Sequence, residues 1–157
     1  MKKLQHQDIC AVLLEPKEGL NFDLDTWQSV ILVLREEKLL ATLYHLAADS
    51  GVLKQYPEFV QRHLYSAGIY ARRQSKQIFY EAQLLQELLE KNAITPVFLK
   101  GANYTLRNSS NSLGRICSDI DVLVKAEDLD SCESLLLAQN WKSEKLTQYD
   151  EKYYRQW

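Results

Sequence analysis

The sequence predicts an α+β fold in which an N-terminal helical region, residues 1–93, precedes a small mixed sheet with flanking helices, residues 94–157. Three observations carry this. Apolar residues recur at three- and four-residue steps through the first half of the chain, which is the period of an amphipathic helix. At Thr95 the pattern changes to short apolar runs that are too short for helices and read as strands. Two such runs, Val97-Phe98-Leu99 and Ile116 to Val124, are separated by a glycine turn, a short helical stretch and the polar loop Asn108 to Ser112.

Each element follows from local pattern. Trp27, Val30, Ile31 and Leu34, then Leu40, Leu43, Tyr44 and Ala47, predict one helix over 25–48, with Asp25 and Gln28 spaced as a capping box and Asp49-Ser50-Gly51 as its stop. Pro57 opens a second helix expected to run to Asn92, because a proline at the first helical position lacks only an amide that would be unpaired there. Gly68 lies inside it and costs about 1 kcal/mol relative to alanine, but the pattern continues through Ala67 and Ala71, which favours an unbroken helix. Ala102 to Arg107 predicts a short helix, and Glu127 to Gln139 a third amphipathic one with Leu129, Cys132, Leu135, Leu136 and Leu137. Trp141 to Leu146 and Tyr153 to Trp157 are weaker strand candidates joined across Tyr149-Asp150-Glu151; the last has no following partner, so the sheet is expected to be completed by further chain or by another molecule.

The chain has 157 residues, a length suited to one domain with a hydrophobic core and helical appendages. Its 19 Lys and Arg against 21 Asp and Glu create no broad positive field for a long polyanion. Cys10, Cys117 and Cys132 are an odd count without CxxC spacing, which argues against a disulfide framework or a zinc knuckle and for a reducing, cytoplasmic setting. The apolar run Ile9 to Leu14 is too short for a signal peptide, and every helical run is interrupted by charge, so no membrane span is expected.

The chemistry concentrates in the second half. On a strand, Asp119 and Asp121 emerge on one face while Ile120, Val122 and Val124 face the core. Two adjacent carboxylates repel, and a cation is the usual compensation; with no His or Cys spaced as a ligand, Mg²⁺ (or Mn²⁺) is expected, with Asp119 and Asp121 as its ligands. The turn at Gly101 leads straight into a helix, so backbone amides of Gly101 and Ala102 are expected to meet a phosphate approaching where a side chain is absent. Lys100 and Arg115 are the cations flanking that turn and the second strand, and Ser118 precedes the acidic pair.

This order of parts resembles a known family. Val97-Phe98-Leu99-Lys100-Gly101-Ala102, then Arg115-Ile116-Cys117-Ser118-Asp119-Ile120-Asp121-Val122-Leu123-Val124, is similar to the uncharacterised nucleotidyltransferase family, whose members carry a Leu-Lys-Gly turn, an Arg and Ser-Asp-Ile-Asp followed by hydrophobic-Leu-Val. The likeness in layout covers most of the chain and is specific over about residues 97–141. The wider polymerase-beta-like superfamily implies a nucleotidyltransferase-like fold, Asp119 and Asp121 as catalytic metal ligands, and a nucleotide site made of Lys100, Gly101, Ala102, Arg115 and Ser118. It further implies transfer of a nucleotidyl group from an NTP to an acceptor hydroxyl, on a small molecule, a protein or an RNA. Three features depart from the superfamily pattern: Ala102 stands where Gly or Ser usually follows the turn glycine, the spacing from Gly101 to Asp119 is long, and the third carboxylate has only Glu144, Asp150 and Glu151 as candidates in sequence.

Two functions are therefore expected, in order. The first is a Mg-dependent nucleotidyltransferase. The second is a catalytically degenerate module of that fold acting in nucleotide sensing or protein binding, with a protein partner or a second copy of the chain engaged through residues 25–92. His6, His45 and His63 share no ligand spacing with the acidic pair, and His45 is expected to pack on its helix. Strand alternation sets Cys117 on the same side as both aspartates, with no adjacent base to activate it. Tyr70, Tyr80 and Tyr104 are expected to be half-buried packing residues.

Overall fold

The computed structural model describes residues 6–142, 147–149 and 152. Among the described residues, six α-helices and one two-stranded ribbon carry the fold, in the order α1 (His6–Leu14), α2 (Leu24–Glu36), α3 (Leu40–Asp49), α4 (Glu58–Lys91), β1 (Val97–Phe98), α5 (Lys100–Leu106), β2 (Val122–Leu123) and α6 (Leu129–Ala138). None of the described helices is long and apolar enough to cross a membrane.

The helical region folds around Trp27. Its ring is fully buried, lies edge-on to Phe22 and against Tyr56, and donates its indole N–H to Gly19 O at 3.1 Å. Gly19 is required by that ring, because a Cβ there would stand 2.6 Å from it. Val30, Ile31 and Leu34 of α2, Leu40, Leu43 and Ala47 of α3, and Val60 and Leu64 of α4 complete this first core. The expected cap is displaced by two residues: Asp23, not Asp25, precedes the helix and accepts from Thr26 N at 2.8 Å.

The single helix expected over 25–48 is two helices. Lys38 sits between them in the left-handed region, φ 59°, and Leu39 N donates back to Leu34 O at 2.8 Å. This is a Schellman ending, in which a left-handed residue closes the last carbonyls of the helix. The turn lets α3 fold back so that both apolar stripes face one core. Helices α3, α4, α5 and α6 end the same way, at Gly51, Ala93, Asn108 and Asn140 respectively, each with the same five-residue backbond.

Helix α4 is continuous over 34 residues, about 50 Å long, as its pattern predicts. Gly68 is buried within it because α3 crosses there: a Cβ would lie 2.5 Å from the Tyr44 ring. Its N-terminal half packs in the first core. Its C-terminal half, through Ile78, Ala82, Leu85 and Leu89, packs in a second core with Ile94, Phe98, Ala102, Cys117 and Cys132. Ile120, Val122 and Val124 pack against that second core, as strand alternation anticipates.

The sheet is smaller than the mixed sheet expected. Among the described residues it is one antiparallel pair, Val97 opposite Leu123 and Phe98 opposite Val122, extended by Leu99 N donating to Asp121 O at 2.9 Å. The strand expected over 116–124 shrinks to two residues because β1 turns into α5 at Lys100, leaving 116–120 without a neighbouring strand among the described residues. That segment is instead held at Gly114, whose absent side chain lets it lie against the Ala41 backbone, with a Cβ position 2.5 Å from Ala41 O. Trp141 and Lys142 form no strand, Gln148, Tyr149 and Lys152 are helical, and residues 143–146 and 153–157 lie outside the described residues.

Candidate functional site

Between α4, the segment 118–124 and α6 lies a cleft of about 1000 Å³. Lys100, Ser118, Asp119 and Asp121 line it together, along a wall of Leu85, Leu89, Ile120, Val122, Leu136 and Trp141. Arg115, Gly101 and Ala102 do not line it. Asp119 is exposed and Asp121 half-buried, so both carboxylates are within reach of a ligand in the cleft.

Lys100 is the first residue of α5 and adopts φ 45°, a left-handed conformation that costs an L-residue about 1–2 kcal/mol. Its Nζ lies 3.2 Å from Asp121 Oδ2. The neighbouring Leu99 N–H is bonded to the Asp121 carbonyl, so residues 99 and 100 grip Asp121 by backbone and side chain at once. Backbone strain at a charged residue in a cleft is a common mark of function.

Gly101 is buried for a reason the sequence does not display. The space of its missing side chain is filled by Cys117, whose Sγ would be 2.4 Å from a Cβ. Cys117 is therefore in the core and does not line the cleft with the aspartate side chains: the irregular backbone of 116–120 breaks strand alternation, and its thiol donates to the backbone Asp119 O at 3.0 Å. Ala102 is also buried, leaving only its backbone for a ligand. Arg115 is exposed, with its guanidinium 5.5 Å from the centre of the Tyr104 ring, a cation–π contact that fixes it near the α5 turn. Tyr104 is thus half-buried, as expected, whereas Tyr70 and Tyr80 are exposed.

Two acidic residues in the cleft escape the sequence reading. Glu81 of α4 and Glu133 of α6 line it opposite the aspartate wall. The signal was present: Glu81 falls three residues after Ile78 and four before Leu85, and Glu133 four after Leu129 and three before Leu136, so each is a charge inside an apolar stripe. Cys132 lines the same cleft; burial, then the carboxylates of Glu133 and Asp128, push its thiol up, so it stays protonated near neutrality. His45 lies in the helical region edge-on to Tyr44, and desolvation lowers its pKa despite the opposing effect of Asp49.

Asp119 and Asp121 are the residues that could hold a metal. Two carboxylates suit a hard cation that takes oxygen ligands and shares them with phosphate and water. Among the described residues no third His, Cys, Asp or Glu completes a cluster with them. Glu144, Asp150 and Glu151, the sequence candidates for a third carboxylate, lie outside the described residues.

The model of the family described as "Uncharacterised nucleotidyltransferase" matches residues 23–156, which span α2 to α6 and the whole lining of the cleft. No curated protein and no solved structure gives a match. The chain belongs to the uncharacterised nucleotidyltransferase family.

Proposed function

We propose that this chain is a Mg²⁺-dependent nucleotidyltransferase that uses an NTP, with Asp119 and Asp121 as its catalytic carboxylates. The observation that carries the proposal is the meeting of those two carboxylates with Lys100 on one wall of a large cleft, in a chain of nucleotidyltransferase family. Family membership supports nucleotidyl transfer in general; the metal, the nucleotide and the residue roles are the proposal.

Within the cleft Lys100 neutralises the triphosphate and the Ser118 hydroxyl donates to it, whereas Arg115 and the Gly101 and Ala102 amides, which do not line the cleft, take no part in this reading. The apolar wall and the half-exposed Trp141 offer the nucleobase a face to stack on. Asp119 and Asp121 would hold Mg²⁺ (or Mn²⁺), which when bound compensates the charge developing on the phosphates. An acceptor hydroxyl then attacks the α-phosphorus. The new oxygen–phosphorus bond forms as the bond to the bridging oxygen of the β-phosphate breaks, pyrophosphate leaves, and the hydroxyl proton passes to solvent.

A second reading has one observation in its favour: among the described residues no third carboxylate completes a metal-binding cluster with the two aspartates. It makes the chain a degenerate module for nucleotide sensing or protein binding. Incubation with α-labelled NTPs, Mg²⁺ and a cell extract as acceptor source separates the two. Transfer of label by the wild type, abolished in Asp119→Asn/Asp121→Asn at unchanged melting temperature, is the expected result. Transfer that survives the double substitution overturns the site, and nucleotide binding without transfer selects the module.

A further inference from the structure

Among the described residues that line the cleft, Lys100 is the one cation, set against the four carboxylates of Glu81, Asp119, Asp121 and Glu133. Its Nζ is placed 3.2 Å from Asp121 Oδ2, one of the two carboxylates read above as metal ligands. The ribbon fixes that placement, because Leu99 N donates to Asp121 O at 2.9 Å and so sets residue 100 beside residue 121.

Two features set this contact apart from an ordinary surface ion pair. First, the left-handed residues Lys38, Ala93, Asn108 and Asn140 each close a helix, whereas Lys100 opens one, so its φ of 45° is not the helix-ending turn that recurs elsewhere in the chain. Second, the partners are unequal. The Asp121 side chain is 25% exposed and the Lys100 side chain 68%. The carboxylate is held by the fold, and the ammonium rides on a flexible stem whose departure costs the fold little. The pair is therefore built for exchange: a fixed anion with a removable counter-ion.

We infer that Lys100 is a resident counter-ion of the metal site: its ammonium opposes a lone divalent cation at the Asp121 carboxylate and is drawn off by the triphosphate, so that metal and nucleotide enter the cleft together. A dication taking that carboxylate meets the ammonium charge at close range, and like charges so placed lower affinity by about tenfold or more. A triphosphate offers the ammonium a more highly charged partner and so removes the opposition. By linkage, nucleotide then raises metal affinity by the factor by which metal raises nucleotide affinity. The exchange makes and breaks no covalent bond. It rests on the nucleotidyltransferase reading for the identity of both ligands, and it gives Lys100 a second task beside neutralising the phosphates.

The test is metal binding, not turnover. Mn²⁺ is titrated into the full chain without nucleotide at low ionic strength, where charge effects are least screened, and free Mn²⁺ is read by electron paramagnetic resonance. Lys100→Met is expected to bind Mn²⁺ about tenfold more tightly than the wild type, and Lys100→Arg, which keeps the charge, to bind as the wild type does. The non-cleavable α,β-methylene analogues of ATP, CTP, GTP and UTP are then titrated with and without Mn²⁺. For an analogue that binds, the gain in affinity from the metal is expected to be about tenfold larger in the wild type than in Lys100→Met. The proposal is overturned if Lys100→Met binds Mn²⁺ no more tightly than the wild type, if Lys100→Arg gains as much as Lys100→Met, or if the gain from the metal is equal in both proteins. Asp119→Asn/Asp121→Asn keeps this failure distinct from that of the catalytic reading. Mn²⁺ binding that is lost in the double variant but equal in Lys100→Met and wild type removes only the role of Lys100. Mn²⁺ binding that survives the double substitution, or is absent from every protein, removes the metal site and the role of Lys100 together.

Discussion

Lys100 and Asp121 are joined by an ion pair of 3.2 Å between their side chains, and the preceding Leu99 amide donates to the Asp121 carbonyl. The pair connects the start of α5 to the edge of β2, so the cationic and acidic halves of the cleft wall are one mechanical unit. Lys100 is largely exposed, at 68% of its side-chain surface, and such a pair contributes at most about 1 kcal/mol to folding.

That small stability term makes Lys100 a clean probe. Lys100→Met is expected to change the urea-unfolding free energy by no more than about 1 kcal/mol. Loss of a charge aimed at developing negative charge commonly costs about 10²-fold in turnover, and label transfer is expected to fall by that order. A loss of transfer matched by an equal loss of folded protein would instead make the residue structural.

Gly101 is expected to be intolerant through packing. Gly101→Ala drives a methyl into Cys117 Sγ and should destabilise by about 1–3 kcal/mol. Gly101→Ala/Cys117→Ala should recover most of that loss, because removing the sulfur vacates the contested space. Denaturant melts of both single variants and the double variant measure the coupling; simple additivity would refute the proposed contact.

Tyr56 carries an alkaline limit to stability. Its hydroxyl donates to Pro16 O, and burial, aided by Glu15, pushes its pKa up from 10 to about 12. The unfolded chain therefore releases this proton first as pH rises. The stability that Tyr56 contributes is full below pH 10 and is lost progressively between 10 and about 12. Tyr56→Phe should cost about 1–3 kcal/mol at pH 7, by leaving Pro16 O without its donor, and should flatten the decline above pH 10. Thermal melts at pH 7, 9.5 and 11 on both proteins provide the comparison.

Ala93 ends α4 at φ 62°, a conformation that glycine adopts without strain. Ala93→Gly is expected to stabilise the chain by about 0.5–1 kcal/mol, net of the extra entropy glycine loses on folding. A lowered melting temperature would mean that the Ala93 methyl makes a contact worth more than the strain.

What the sequence by itself determined is whatever depends on spacing along one segment. The period of Val60, Leu64, Ile78, Leu85 and Leu89 specifies a helix through Gly68, and the order of Lys100-Gly101, Arg115 and Asp119-Ile120-Asp121 specifies the family and the acidic wall. Gly51 announces the end of α3 because a left-handed residue is cheap there. Lys38 does not announce the end of α2, because its left-handed turn is imposed by the gain from packing α2 and α3 on one core, a term that no local propensity contains.

Only the tertiary structure decided the rest, for the same reason: it depends on partners distant in sequence. Residues 116–120 have strand-like composition and, among the described residues, no strand beside them; they coil and turn Cys117 into the space left by Gly101. Glu81 and Glu133 become residues of one cleft only when α4 and α6 are brought to line it together. Arg35, Lys38, Gln74 and Ser118 are distant in sequence, and their meeting around one cavity follows from α4 running through both cores.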